Sequence, residues 1–188
     1  MKITPGKLAG MKAVSTDKGT IAAAAMDQRG SLKKALGAAK GTDATDAMMQ
    51  EFKAIVTEVL TPHASAILLD PQWGIEPSKA RSSNAGLLLA YEESGYDNTR
   101  PGRLPDLLPH WSVRRLKAAG ADCVKVLIYY TPYDSSAVNE EKHSFIERIG
   151  ERTGLPVGIK SAIGEIEFWE ELAKQMASSN QGPDLSLI

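Results

Sequence analysis

The chain has 188 residues, a net charge of −1, 43% hydrophobic and 24% charged residues, the profile of one ordinary soluble domain with a sizeable core. Near-zero charge gives no broad electrostatic case for nucleic acid or an anionic membrane, and the single cysteine, Cys123, excludes a disulfide framework or a cysteine metal cluster. No apolar core of signal-peptide length opens the chain and no run reaches membrane-spanning length, so a reducing cytoplasm is the expected compartment.

Residues 5–14 predict a short helix with Leu8, Met11 and Lys12 on neighbouring turns. The run Ile21-Ala22-Ala23-Ala24-Ala25-Met26 then ends abruptly in Asp27-Gln28-Arg29-Gly30. Alanine favours helix, but so short a run between polar and glycine residues reads as a buried strand. Ser31 caps a short helix over 31–36. Thr42 or Asp43 opens a longer one, in which Met48, Met49, Phe52, Ile55, Val56, Val59 and Leu60 repeat at helical spacing until Pro62 stops it. Strands follow over 64–71 and 86–92, each ending in an acid, Asp70 and Glu92. A polar, Gly/Pro-rich loop spans 92–109, a length that points to function or mobility. A helix over 111–119 leads through Gly120 into a strand over 120–130, with Lys125 in its middle. Then come a helix over 139–149, a fifth strand over 155–160 ending at Lys160, a helix over 165–176 and a loop-like tail over 178–183.

Strand and helix thus alternate, about five times, and the strands are continuous apolar runs rather than alternating ones. That pattern predicts an α/β fold with a parallel sheet buried on both faces. No G-x-G-x-x-G or G-x-x-x-x-G-K-[ST] follows any strand, which weakens the dinucleotide and P-loop options. Parallel α/β folds put their sites at the carboxyl ends of the strands, where this sequence gathers Asp27, Gln28, Arg29, Asp70, Glu92, Lys125 and Lys160. A lysine in a buried strand is costly unless its ammonium finds a partner. Lys125 reads either as a structural lysine, paired or snorkelling, or as part of a site. In a water-poor pocket such a lysine can attack a carbonyl to give a Schiff base, with carboxylates moving protons and Arg29 holding an oxyanion. Asp70 before Pro71 reads as an ordinary cap or turn. His63, His110 and His143 have no metal-ligand spacing and read as surface residues.

Several stretches resemble the class I tagatose-1,6-bisphosphate aldolases: Ala25-Met26-Asp27-Gln28-Arg29-Gly30-Ser31-Leu32-Lys33, Ile67-Leu68-Leu69-Asp70-Pro71, Gly86-Leu87-Leu88-Leu89-Ala90-Tyr91-Glu92 with Gly95-Tyr96-Asp97, Trp111-Ser112-Val113, Ala121-Asp122-Cys123-Val124-Lys125 through Tyr130, and Ser144 through Gly150. The match covers residues 1 to about 150. It implies a (β/α)8 barrel that cleaves tagatose 1,6-bisphosphate to dihydroxyacetone phosphate and glyceraldehyde 3-phosphate without metal or cofactor. It also implies that Asp27 handles protons or orients substrate, that Gln28 and Arg29 contact substrate, and that Lys125 is an accessory charge beside the reacting carbonyl or hydroxyl.

Two features depart from that pattern. The family's Schiff-base lysine lies on the sixth strand in a stretch like Asp-Val-Leu-Lys-Val-Glu, which the 188 residues do not contain. Its fifth-strand glutamate, in a Pro-Phe-Phe-Leu-Glu pattern, is replaced by Lys160 in Pro156-Val157-Gly158-Ile159-Lys160. Residues 153–176 instead resemble a segment of FMN-dependent glutamate-synthase-type barrels, where a lysine at that position faces flavin or substrate. The domain expectation is therefore one incomplete, open barrel over 1–188, aldolase-like over 1–150 and divergent or foreign over 151–188. Truncation, fusion, chimera and divergence are all compatible with it. A complete barrel needs eight units and roughly 250 residues, so open sheet edges and self-association are expected. Three functions stay open: an impaired or inactive aldolase-family lyase, a half-barrel that binds a sugar phosphate or FMN without turnover, and an inactive fragment. The expected ligand is a phosphorylated ketose.

Overall fold

The computed structural model describes residues 3–94 and 104–161. The expected helix over 165–176, the tail over 178–183 and the Gly95-Tyr96-Asp97 stretch lie outside the described residues. The element order is α1 (Pro5–Val14), β1 (Ala23–Met26), α2 (Gly30–Lys40), α3 (Asp46–Leu60), β2 (Ala66–Leu69), β3 (Gly86–Ala90), α4 (Val113–Ala118), β4 (Cys123–Ile128), α5 (Ser136–Thr153) and β5 (Val157–Ser161). The five strands form one sheet in the order β1-β2-β3-β4-β5, and every pair is parallel. A doubly wound sheet reverses its strand order at a switch point. Here each strand pairs with the next without reversal, the winding of a (β/α)8 barrel segment left open.

The sheet has two apolar faces of different size. On one, Ile67, Leu69, Leu87, Leu89, Val124 and Val126 meet Val113, Leu116, Phe145 and Ile149 from the helices. On the other, Ala66, Leu68, Leu88, Ala90 and Cys123 are packed with Val14 of α1. Cys123 is buried and forms no disulfide among the described residues, as its apolar strand predicts. Helix α1 runs close beneath the strand starts: a Cβ on Gly10 would lie 2.3 Å from the Asp122 carbonyl oxygen, and one on Gly86 2.4 Å from that of Ala13. Only glycine permits either approach.

Several boundaries move from their expected positions. Helix α2 runs on to Lys40 and closes at Gly41 with φ of 69°. Residues 42–44 are thus a link, and Thr45 caps α3 by accepting the Met48 N–H at 3.2 Å. Helix α5 is longer at both ends, capped by Ser135 and stopped by Gly154 at φ of 59°. The larger difference is in α3. Its buried residues are Met49, Lys53 and Thr57, whereas Ile55, Val59 and Leu60 are exposed. In α1, likewise, Gly10 and Val14 are buried while Leu8 and Met11 are exposed.

Burial along the sheet is uneven. Strands β2 and β3 are buried at every residue. In β1, Ala23 and Ala25 are exposed, because β1 pairs only with β2 among the described residues. The expectation of an open sheet with partly exposed faces is therefore met at this edge and not at the centre.

Candidate functional site

The carboxyl ends of β1, β3 and β4 converge on Lys125. It is the third residue of β4 and is 5% exposed. Its Nζ donates to Asp27 Oδ2 at 2.8 Å and to Glu92 Oε1, so both carboxylates form ion pairs with it. Asp27 directly follows β1, and its position depends on where that strand ends. Glu92 is 4% exposed and is held by extension of the sheet: the Tyr91 N–H donates to the Lys125 carbonyl at 2.9 Å. The chain returning from the long loop then pairs Leu107 antiparallel to Glu92. Arg29 caps the start of α2 and is 9% exposed. Its Nη2 donates to the Glu92 backbone oxygen at 2.6 Å.

The cluster therefore joins two cations and two carboxylates at one rim. Among the described residues, Arg29 Nε and Glu92 Oε2 are buried with no hydrogen-bond partner. Leaving a buried polar atom unpaired costs about 1–3 kcal/mol, so a spare donor and a spare acceptor in one cluster suit a ligand that carries both kinds of oxygen. A lysine flanked by carboxylates can steady negative charge on a carbonyl or hydroxyl oxygen while a carboxylate moves its proton.

A second lysine–carboxylate pair lies beside the first. Lys53 of α3 and Asp70 after β2 are both wholly buried, 2.6 Å apart at Nζ and Oδ2. Lys53 also donates to the carbonyls of Met26 at 2.6 Å and Gln28 at 2.9 Å. Asp70 Oδ1 accepts the N–H groups of Gln72 and Trp73, so the turn-forming reading of Asp70 holds but is incomplete. The inward pull of this pair explains why α3 turns Lys53 to the core while Ile55 and Val59 face out.

Asp27, Arg29 and Lys125, singled out from sequence, are thus brought together. Gln28 is exposed, and its engagement is through its carbonyl to Lys53. Lys160 lies in register with Leu127, two positions beyond the Lys125–Gly158 pair; its side chain lies outside the described residues. Glu92 was visible as a strand-ending acid without a role, and Lys53 gave no signal within an amphipathic helix. His63, His110 and His143 are exposed, and no group of acidic, histidine or cysteine residues could hold a metal among the described residues. No described helix is long and apolar enough to cross a membrane.

A cleft of about 1060 Å³ opens at the other end of the sheet, lined by Lys12, His63, Ser65, Arg81 and Asp122 among others. Several of its polar groups are committed to the fold. Arg81 donates to the Ser78 and Ala85 carbonyls, Ser65 joins Val14 to Ala22, and Asp122 accepts the Leu87 N–H. The cleft is far less suited to chemistry than the Lys125 rim.

Residues 21–175 match the DeoC/LacD family aldolase profile. The chain is 54% identical over 150 residues to the tagatose 1,6-diphosphate aldolase 2 of Enterococcus faecalis, covering 80% of this chain and 45% of that protein. It is 51% identical over 150 residues to the tagatose 1,6-diphosphate aldolase of Listeria monocytogenes, covering 80% and 44%. The chain thus spans less than half the length of these curated relatives. A solved structure, Cgl0159 from Corynebacterium glutamicum, aligns with a TM-score of 0.47 at 14% identity over 92% of this chain and 61% of that one, too weak a likeness to add to the sequence match. The family match covers most of the 188 residues, and the chain belongs to the DeoC/LacD aldolase family.

Proposed function

We propose that this chain carries the β1–β4 half of a class I aldolase site for tagatose 1,6-bisphosphate and holds the ketose phosphate without efficient cleavage. The observation that carries this reading is the Lys125 cluster with its unspent Arg29 Nε and Glu92 Oε2. In it, Lys125 lends positive charge to the reacting carbonyl or hydroxyl. Asp27 orients the substrate and exchanges its proton, and Arg29 anchors a substrate oxygen. Glu92, with Asp27, holds the Lys125 ammonium in place. Retro-aldol cleavage also needs an electron sink, which a class I enzyme supplies as the iminium of a Schiff-base lysine. Lys125, committed to two carboxylates, is poorly suited to attack a carbonyl. The sixth-strand stretch that bears the family's lysine does not occur in the 188 residues. The chemistry proposed here uses no metal and no cofactor, and the proposed compartment is the cytoplasm.

The test is to mix the chain with tagatose 1,6-bisphosphate and couple any triose phosphate released to a reporter reaction, with borohydride trapping in parallel. The expected outcome is no turnover above background, no reduced adduct, and a rise in melting temperature with dihydroxyacetone phosphate. A borohydride adduct on Lys125 or Lys160 would overturn the accessory assignment, and a melting temperature indifferent to the ligand would overturn binding. The half-exposed β1 edge further supports self-association; a single sharp monomeric boundary in sedimentation would contradict that part.

A further inference from the structure

We infer that Lys53 is a positioning residue for the site: from the buried side of α3 it sets the backbone around Asp27 and thereby holds Asp27 against Lys125. The inference rests on the reading above only for its ligand readout. Lys53 Nζ donates to the carbonyls of Met26 and Gln28 and forms an ion pair with Asp70 Oδ2. Those two carbonyls flank Asp27. Strand β1 ends at Met26, so the ladder to β2 no longer fixes the next residues, and the register stops at Met26 opposite Leu69. Lys53 takes over where the ladder ends. Asp70, one residue beyond Leu69, supplies the counter-charge and is itself fixed by the Gln72 and Trp73 N–H groups. A fully buried charge is an expensive way to stabilise a helix, and apolar replacements of such pairs are often neutral or better. Its geometric effect is specific: it restrains the backbone on both sides of Asp27, the site residue that directly follows β1, a strand paired on one side only among the described residues.

The test uses the double variant Lys53→Met with Asp70→Leu, which removes the buried pair without leaving a lone charge. Circular dichroism establishes folding, and the rate of Lys125 acetylation, read by peptide mass spectrometry, reports whether Asp27 still covers it. This readout needs no ligand, so it stands even if the wild type fails to bind dihydroxyacetone phosphate. The expected result is a folded protein in which Lys125 acetylates roughly tenfold faster, matching Asp27→Asn. Where the wild type binds dihydroxyacetone phosphate, its affinity falls in parallel. A folded double variant with wild-type Lys125 protection would overturn the inference. Should that double variant not fold, Lys53→Met with Asp70→Asn serves instead: the amide oxygen can keep the Gln72 and Trp73 bonds, no lone charge is left, and both carbonyl bonds of Lys53 are lost. The same rise in Lys125 acetylation is expected, and wild-type protection would overturn the inference.

Discussion

Lys53 and Lys125 lie near the same rim of the sheet, and each is ion-paired, yet their partners differ in kind. Lys53 is wholly enclosed, pairs with the one carboxylate of Asp70 and donates to two backbone carbonyls. Lys125 retains slight exposure and pairs with two side-chain carboxylates, Asp27 and Glu92. Buried atoms without a hydrogen bond occur in both clusters among the described residues, Asp70 Oδ2 in one and Glu92 Oε2 and Arg29 Nε in the other, and each is costly for folding. The difference between the two lysines is that one grips the backbone and the other only side chains.

The largest effect should come from unbalancing the enclosed pair. Asp70→Ala leaves Lys53 buried without its counter-charge and should cost about 3–5 kcal/mol in urea unfolding. The Lys125 cluster should be more forgiving. Asp27→Asn leaves Glu92 paired with Lys125, so a loss of only about 1–3 kcal/mol is expected in the same assay, with a clear loss of ketose-phosphate affinity. Were Asp27→Asn as damaging to stability as Asp70→Ala, the contrast between the two clusters would break. Replacing both members of the enclosed pair, Lys53→Met with Asp70→Leu, should bring stability back to within about 1–2 kcal/mol of wild type. The two sites would then show strong coupling in a double-mutant cycle.

The smallest effect should lie outside both clusters. Asp46, in the first turn of α3, is held below its ordinary pKa chiefly by the hydrogen bond from Lys33. A depressed carboxylate pKa contributes stability above the unfolded value and loses it as pH falls through the folded one. Wild type should melt slightly above Asp46→Asn at neutral pH, and the gap should close below about pH 4. A gap that persists in acid would mean that the Lys33 contact is not its source.

Much of this was legible from the order of residues. Continuous apolar runs over β2, β3 and β4 announced buried strands, and the acids after β1, β2 and β3, namely Asp27, Asp70 and Glu92, marked the rim. Asp27, Arg29 and Lys125 were recognisable because a charged residue beside a buried strand demands an account. Lys53 was not, since periodicity assigns the inner face of a helix to its apolar residues. Here the inner face was decided by a partner, Asp70, that follows a strand elsewhere in the sequence. The exposure of Ile55 and Val59 follows from that same long-range pairing. For Gln28 the sequence drew notice to the side chain, which is exposed, and gave no sign that its carbonyl accepts from Lys53. The longer reach of α2 and α5 was missed because the last turn of α2, Gly37-Ala38-Ala39-Lys40, holds only small residues and a lysine and that of α5, Gly150-Glu151-Arg152-Thr153, is polar, and the left-handed glycines that end them, Gly41 and Gly154, lie beyond the apolar pattern.

The most direct test of the Lys125 cluster as a ketose-phosphate site is calorimetric titration of dihydroxyacetone phosphate into the wild-type chain and into Asp27→Asn. Saturable binding to the wild type, weakened roughly tenfold in the variant or about 1.4 kcal/mol, is the predicted result. Equal isotherms for the two proteins, or no saturable binding to the wild type, would contradict it.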